Sequence, residues 1–344
     1  MGCSCENNKV ENDIEIKKIQ QQNELILDEK LLKNIIEIQS RVRGVLFRQK
    51  FNIKNDKKLL IENQTNQNSY YNNYETNENK YSFLEEEQIT ESDINYLFNN
   101  YPPLDDGIEN KIQAMTEIEN GALYYGEWDI NGNKHGRGIQ LWPDGSKYFG
   151  YWINNKANKK GKLMQKYGDI YEGEWLDDKA NGYGIYLHLD GAKYEGYWKD
   201  DKQEGKGKEV WPDGNSYEGD YLAGKKQGKG KFTWSDGSVY EGDFMNNNIE
   251  GKGIYKWADN RIYNGDWKNN QMNGYGEFTW PDGRNYKGGY KNDKKEGYGV
   301  FRWPQGQEYR GNWKNGKQDG EGEIYNPETK ECRKFIWKNG KRIG

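Results

Sequence analysis

The stretch Tyr171-Glu172-Gly173-Glu174-Trp175, followed seven residues later by Gly182-Tyr183-Gly184, reads as two short strands of one hairpin. Alternate residues of a strand share a face, so Tyr171, Gly173 and Trp175 point one way while Glu172 and Glu174 point the other. The same unit recurs at Tyr148, Tyr171, Tyr194, Tyr217, Tyr240, Tyr263, Tyr286 and Tyr309, each 23 residues after the last, and an earlier copy at Tyr124 is offset by one extra residue. Nine copies therefore precede a degraded one around Trp337. An aromatic stands two residues after each unit's glycine: Trp128, Trp152, Trp175, Trp198, Tyr221, Phe244, Trp267, Tyr290 and Trp313. In the second strand Gly205, Gly207, Glu209 and Trp211 share a parity, so both bare glycines are expected to receive rings from a neighbouring strand. Asn315-Gly316-Lys317, and Asp213-Gly214 within Trp211-Pro212-Asp213-Gly214, supply the positive φ that tight turns need. A lone hairpin is marginal in water, so stability must come from each unit stacking on the next.

Working outward from the repeat, composition divides the chain near residue 120. All 13 Trp lie at or after Trp128, and 40 of 43 Gly at or after Gly121. With 33% hydrophobic residues and a mean hydropathy of −1.25, but 15% aromatics, any core must be built mainly from rings. Residues 1–120 carry 14 basic and 22 acidic side chains and 121–344 carry 37 and 33, so neither part has the one-sign field that nucleic acid requires. No nucleic-acid partner is expected. No apolar run is long enough to span a membrane, no secretory leader is visible, and three Cys make no disulfide framework, which fits a cytoplasmic setting. The segments read as a tail at 1–10, a helical stretch at 11–54, a flexible linker at 55–88, a short helix and lead-in at 89–120 opened by a capping box from Thr90 to Asp93, and the repeats at 121–344.

The aromatic-glycine unit followed by Gly-x-Gly and Asp-Gly, clearest in Tyr171 to Trp175 and in Tyr240-Glu241-Gly242, resembles the MORN (membrane occupation and recognition nexus) family over about 220 residues. The resemblance implies a mainly β chain: an elongated single-layer antiparallel sheet of about nine 23-residue hairpins that organises complexes at membranes, junctions or cytoskeleton. Departures fall at Lys159, Lys166 to Asp169, Asn260 and Gln305, where a bulge or a contact is expected. Chemistry is sparse. His135 and His188 are far apart and neither neighbours a Cys, and no nucleotide-binding or hydrolase motif is present. No catalytic residue, metal or cofactor is expected, and the carboxylates that recur with the repeat read as a solvated face.

Two short motifs lie upstream. Removal of Met1 from Met1-Gly2-Cys3-Ser4-Cys5 would expose Gly2 for myristoylation with Cys3 and Cys5 placed for palmitoylation, although Glu6 stands where the motif prefers Ser or Thr. Residues Ile38 to Arg48 resemble the IQ motif of calmodulin-binding proteins at every fixed position. On a helix Ile38, Val42, Val45 and Leu46 form an apolar stripe bordered by Arg41, Arg43, Arg48 and Lys50. The resemblance implies that Ile38 anchors in an EF-hand lobe, Gln39 bonds its backbone, Gly44 permits close approach, and Arg43 and Arg48 pair with acidic groups. The alternative is a helix docked on another protein or coiled with its own copy. Together these features describe a non-catalytic scaffold at the cytoplasmic face of a membrane. Its expected partners are calmodulin or another EF-hand protein, membrane lipids through acyl chains, and unidentified proteins along the repeats. The rival readings are a cytoskeletal or axonemal component resembling radial-spoke proteins, located at cilium or cortex, and a regulatory partner of a phosphoinositide kinase.

Overall fold

The computed structural model describes residues 88–344, and the acylation-like tail and the IQ-like segment lie outside them. Twenty-one strands belong to one open antiparallel sheet, and helix is confined to the N-terminal region. The described chain divides into two units, 88–227 and 228–344. The first holds α1 (Glu91–Asn100), β1 (Lys111–Glu117), β2 (Leu123–Trp128), β3 (Lys134–Leu141), β4 (Lys147–Ile153), β5 (Lys156–Met164), β6 (Ile170–Leu176), β7 (Lys179–Leu187), β8 (Lys193–Lys199), β9 (Lys202–Val210), β10 (Ser216–Leu222) and the start of β11 (Lys225–Thr233). The second continues through β12 (Val239–Met245), β13 (Asn248–Lys256), β14 (Ile262–Lys268), β15 (Gln271–Thr279), β16 (Asn285–Lys291), β17 (Lys294–Arg302), β18 (Glu308–Lys314), β19 (Lys317–Asn326), β20 (Glu331–Lys338) and β21 (Lys341–Arg342). The sheet therefore begins with β1, upstream of the first repeat, where Lys111 pairs with Trp128.

Each hairpin is organised by its tyrosine. The ring of Tyr171 lies over two directly opposed glycines, Gly173 and Gly184, and a Cβ on Gly184 would sit 2.4 Å from its hydroxyl oxygen. That hydroxyl donates to the carbonyl of Glu174, and all nine repeat tyrosines make the same bond three residues ahead at 2.9–3.1 Å. Burial pushes these phenols well above their ordinary pKa, so they remain donors. The first glycine of each Gly-x-Gly has a different duty from the expected one. Gly182 and Gly251 stand at bulges with φ of 97° and 65°, a left-handed backbone rather than room for a ring. At Lys159, one of the departures, the same bulge is made at φ 57° without glycine.

Repeats are joined in two ways. Edge-to-face contacts pass from one repeat to the next, as in Tyr148–Trp175 at 5.3 Å, Tyr171–Trp198 at 5.3 Å and Tyr240–Trp267 at 5.5 Å. The indole of Trp175 donates to the carbonyl of Gly161 and that of Trp267 to Gly253, each in the preceding repeat. Truncating a buried ring of this size costs about 3–5 kcal/mol in a packed core. The tight turns supply the second link. Asp177–Asp178 and Asn292–Asp293 adopt positive φ at both central positions, the pattern of a type I′ hairpin. The second residue of each turn then clamps the previous one: the amide of Asp293 donates to the Met272 carbonyl at 3.0 Å, and its carboxylate accepts from the Met272 amide at 2.8 Å. Asn155, Asp178, Asp201 and Asn270 repeat this reciprocal pair.

Burial raises the Asp293 carboxyl from its ordinary value of 3.8 to about 6, although the Met272 amide and the Gln271 side chain favour its charged form. A carboxyl with a raised folded-state pKa contributes most stability below pH 3.8 and loses it as pH rises through about 6. The loss is on the order of 2–3 kcal/mol. Asparagine keeps the acceptor that Asn270 offers to Ile249 and carries no charge. Asp293→Asn should therefore raise the melting temperature at pH 7 and flatten its dependence between about pH 4 and 6; a variant less stable than wild type at pH 7 would contradict this account.

Candidate docking face

The two faces of the sheet differ in what they leave available. The inner face carries the tyrosine and tryptophan rings, which pack edge to face, and the indoles of Trp152, Trp175, Trp198, Trp267 and Trp313 donate to glycine carbonyls. The outer face carries the intervening residues, and in most repeats these are charged. Lys206 pairs with Asp220 at 2.6 Å, Lys229 with Asp243 at 2.6 Å and Lys252 with Asp266 at 2.9 Å. Such exposed pairs are worth about 0.2–1 kcal/mol each. The acidic partner has a second role that sequence reading assigned only to solvation: Asp243 accepts the amide of Lys252 and Asp266 that of Tyr275, closing the bulge where the ladder is broken. Glu127 does the same for Arg137. This carboxylate, which directly follows the first-strand glycine of its repeat, was not separable, in sequence, from its solvated neighbours.

On β3 and β4 the outer face changes character. Phe149 and Tyr151 stand where Glu172 and Glu174 stand one repeat later, and Ile139 stands where Lys162 does. All three apolar side chains are buried, because α1 lies on them. The helix starts at Thr90, whose hydroxyl accepts from the Asp93 amide while Asp93 accepts from the Thr90 amide, a complete capping box. Leu97 is buried against the sheet, Tyr96 meets Phe149 edge to face at 5.4 Å, and Tyr101 meets Tyr151 at 5.6 Å. Polar contacts fix the ends: the Lys147 ammonium reaches Asp93 at 2.9 Å, and the Tyr151 hydroxyl donates to the Pro102 carbonyl at 2.7 Å. Arg137, held by Glu127, lies 4.6 Å over the Phe98 ring. Beyond the helix, His135 is 2% exposed and bonds Asp106 at 2.8 Å through Nε2. The signal for the helix site was present in the repeat, as two aromatics at positions that are acidic one copy later.

The residues singled out from sequence, Gly2, Cys3, Cys5, Ile38, Gln39, Arg43, Gly44 and Arg48, all lie outside the described residues. Among the described residues no group of His, Cys, Asp and Glu could hold a metal, and no helix is long and apolar enough to cross a membrane. His188 contacts Asp190 at 3.0 Å and, 19 residues away in sequence, Asp169 at 3.8 Å. Of the departures, Asn260 occupies a turn at φ 66° where other repeats place glycine, and Asp169 accepts from the Leu189 amide and the Tyr186 hydroxyl.

The family model described as MORN repeat matches residues 124–147, 171–193, 194–216, 217–239, 240–260, 263–283, 286–308 and 309–327. The stretch it passes over, 148–170, is the copy whose outer face receives α1 and whose bulge carries Lys159. A curated relative, an inactive protein tyrosine kinase pTKL of Plasmodium berghei (strain Anka), is 36% identical over 58 residues, which is 17% of this chain and 4% of that protein. Solved structures with partial likeness include the TCP10c domain of Drosophila melanogaster Sas-4, at 11% identity over 53% of this chain and 100% of that one with a TM-score of 0.28. Another is the Drosophila SAS-4 TCP domain in complex with a proline-rich motif of Ana2, at 12% identity over 60% and 91% with a TM-score of 0.23.

Phe149→Glu restores the residue type of the next repeat and should undock α1, at a cost of about 3–5 kcal/mol for the lost ring contacts. Hydrogen exchange should then accelerate across residues 91–100 and remain unchanged from 228 to 344; retained protection of the helix would show that Phe149 does not hold it.

Proposed function

This chain belongs to the MORN-repeat family, a family of non-catalytic repeats, and on that premise we propose that it is a membrane-associated scaffold whose sheet presents its outer face to protein partners. The observation that carries this reading is α1 itself: the sheet accommodates a helix by exchanging two outward acidic residues for Phe149 and Tyr151, without disturbing the tyrosine-glycine geometry beneath. An outer face that can change while the inner face stays constant is the arrangement a scaffold needs.

Two further elements of the proposal come from sequence. The Ile38 to Arg48 segment binds calmodulin or a related EF-hand protein, with Ile38 in an apolar pocket and Arg43 and Arg48 drawn to acidic residues. The tail at Gly2, Cys3 and Cys5 attaches the protein to the cytoplasmic face of a membrane, because a myristoyl chain alone holds with K on the order of 10⁴ M⁻¹ and a second acyl group makes attachment stable.

Titration calorimetry with a peptide spanning residues 28–54 should show calmodulin binding that persists in chelator. Replacement of Ile38 by Glu should weaken it most, because a charge then enters an apolar pocket, whereas Arg43→Ala and Arg48→Ala should leave a weaker, less salt-sensitive complex. Equal affinity of the wild-type and Ile38→Glu peptides, or none for either, would remove the EF-hand partner from the proposal.

Anchoring is tested separately by fractionation. Gly2→Ala should move the protein to the soluble fraction and Cys3→Ser with Cys5→Ser should leave only weak, reversible attachment. Unchanged membrane recovery in every variant would dismiss acylation as the tether.

A further inference from the structure

Within the unit 228–344 the outer face carries a row of lysines beside the tight turns. The residues that close each type I′ hairpin oppose one another in register, and in three successive copies both are lysine: Lys291 with Lys294, Lys314 with Lys317 and Lys338 with Lys341. All six are exposed, and none has an ion-pair partner among the described residues. Carboxylates of the same strands are engaged by the backbone, Glu296 accepting the Asn315 amide and Asp319 the Asn339 amide. Like charges directly opposed across a ladder are destabilising. The sheet does not require them, because the same two positions hold Met245 with Asn248 and Leu176 with Lys179 in other copies.

Next to this row, toward the middle of the strands, stand Tyr275 and Tyr298, equivalent positions of successive repeats that are 56% and 62% exposed. On the strand between them, Gly289 replaces the carboxylates of Asp243 and Asp266 and is opposed in register to Tyr275. A Cβ at Gly289 would lie 2.1 Å from the Glu296 carbonyl oxygen, so no side chain fills the place. The two rings therefore flank bare backbone, with lysines along one border.

Spacing and charge together define an occupant. Equivalent positions of successive repeats are two strands apart, about 9.6 Å. A polyproline II segment completes its turn of three residues in about 9.3 Å. Laid across the strands, such a segment offers one side chain per turn to the tyrosine row, one to the lysine row and one to solvent. Proline suits the first position, because aromatic-lined grooves take the preformed polyproline II ridge at little entropic cost. A carboxylate suits the second, because opposite charge draws the segment in and fixes its register.

We propose that the outer face of β15 to β19 binds an acidic, proline-containing segment of a partner protein in the polyproline II conformation. Its prolines lie on Tyr275 and Tyr298, and its carboxylates meet Lys291, Lys294, Lys314 and Lys317. The inference rests on the reading of the outer face as the partner-facing one, and it supplies the chemistry of a partner.

Fluorescence anisotropy with the full chain and a labelled peptide of about four Pro-Glu-Ser repeats tests this. The peptide should bind, and more weakly as salt rises. A peptide of Pro-Lys-Ser repeats should not bind, and a Pro-Glu-Ser-Ser repeat, which breaks the period of three, should bind about tenfold more weakly. Lys291→Glu with Lys314→Glu should weaken the complex about tenfold or more, and Tyr298→Ala about fivefold. The double variant exchanges two repulsive pairs for attractive ones, so its melting temperature should not fall, which separates lost binding from lost folding. Lys225→Glu alters an exposed lysine at the same hairpin position beside Leu222 and should leave the affinity unchanged. No binding of the Pro-Glu-Ser peptide, equal binding at period four, or an equal loss with Lys225→Glu would overturn the proposal. So would capture of the chain by phosphatidylserine vesicles, lost in the double variant, without peptide binding; the lysine row would then belong to a lipid surface. The two readings fail separately: absence of peptide binding removes this partner chemistry and leaves the outer face as the docking side, whereas peptide binding that survives the double variant and Tyr298→Ala places the contact away from this face and removes both.

Discussion

The interaction on which the structure depends is a tyrosine ring laid across two opposed glycines with its hydroxyl bonded to a carbonyl three residues ahead. A sheet face without a covering layer would expose its apolar side chains to water. Here the tyrosine folds down onto bare backbone, so the repeat buries its own ring within one hairpin. Seven of the nine repeat tyrosines are fully buried, and among the described residues the cluster around Tyr124, Tyr148 and Tyr171 is built from the sheet's own aromatic and apolar side chains. Alanine at Gly184 or Gly276 would drive a methyl group into the tyrosine ring, so the two residue types are linked by sterics as well as by spacing.

From that unit follows the way repeats are joined. Each tyrosine leaves an edge for the next repeat's aromatic, and the type I′ turns add a backbone bond with a side-chain bond in return. These contacts run between neighbours, so energy is shared along the chain in nearest-neighbour steps. The link also tolerates variation. Tyr221 replaces the tryptophan of other repeats and spends its hydroxyl on Glu209, which is paired with the buried Lys226 at 2.8 Å. Leaving Lys226 unpaired would be costly in that apolar setting, so this repeat has exchanged an indole-carbonyl bond for an ion pair.

Function lies in the residues that the inner geometry does not use. The outer face carries ion pairs in some repeats, exposed tyrosines in others and a docked helix over β3 and β4. Because the tyrosine-glycine unit stands on the opposite side, these residues can differ from copy to copy at little cost to the sheet. The docking of α1 is the direct example.

The sequence by itself determined the repeat, its hairpins, the two glycine classes as a group, and the capping box at Thr90, because each is written in local spacing: period two in a strand, period 23 between units, three residues from cap to carboxylate. It also made the outer face recognisable as the charged one. What only the tertiary structure decided is where that periodic order is put to another use. The first glycine of each pair proved to be a left-handed bulge residue, since φ depends on the partner strand and leaves no trace in composition. The carboxylates that close those bulges, Asp243 and Asp266, look like their solvated neighbours until the register places a backbone amide beside them. Phe149 and Tyr151 stand where the next repeat has Glu172 and Glu174, yet the departures read from the sequence did not include them; α1 begins 58 residues before Phe149, and only folding brings so distant a segment onto the face that those two rings prepare.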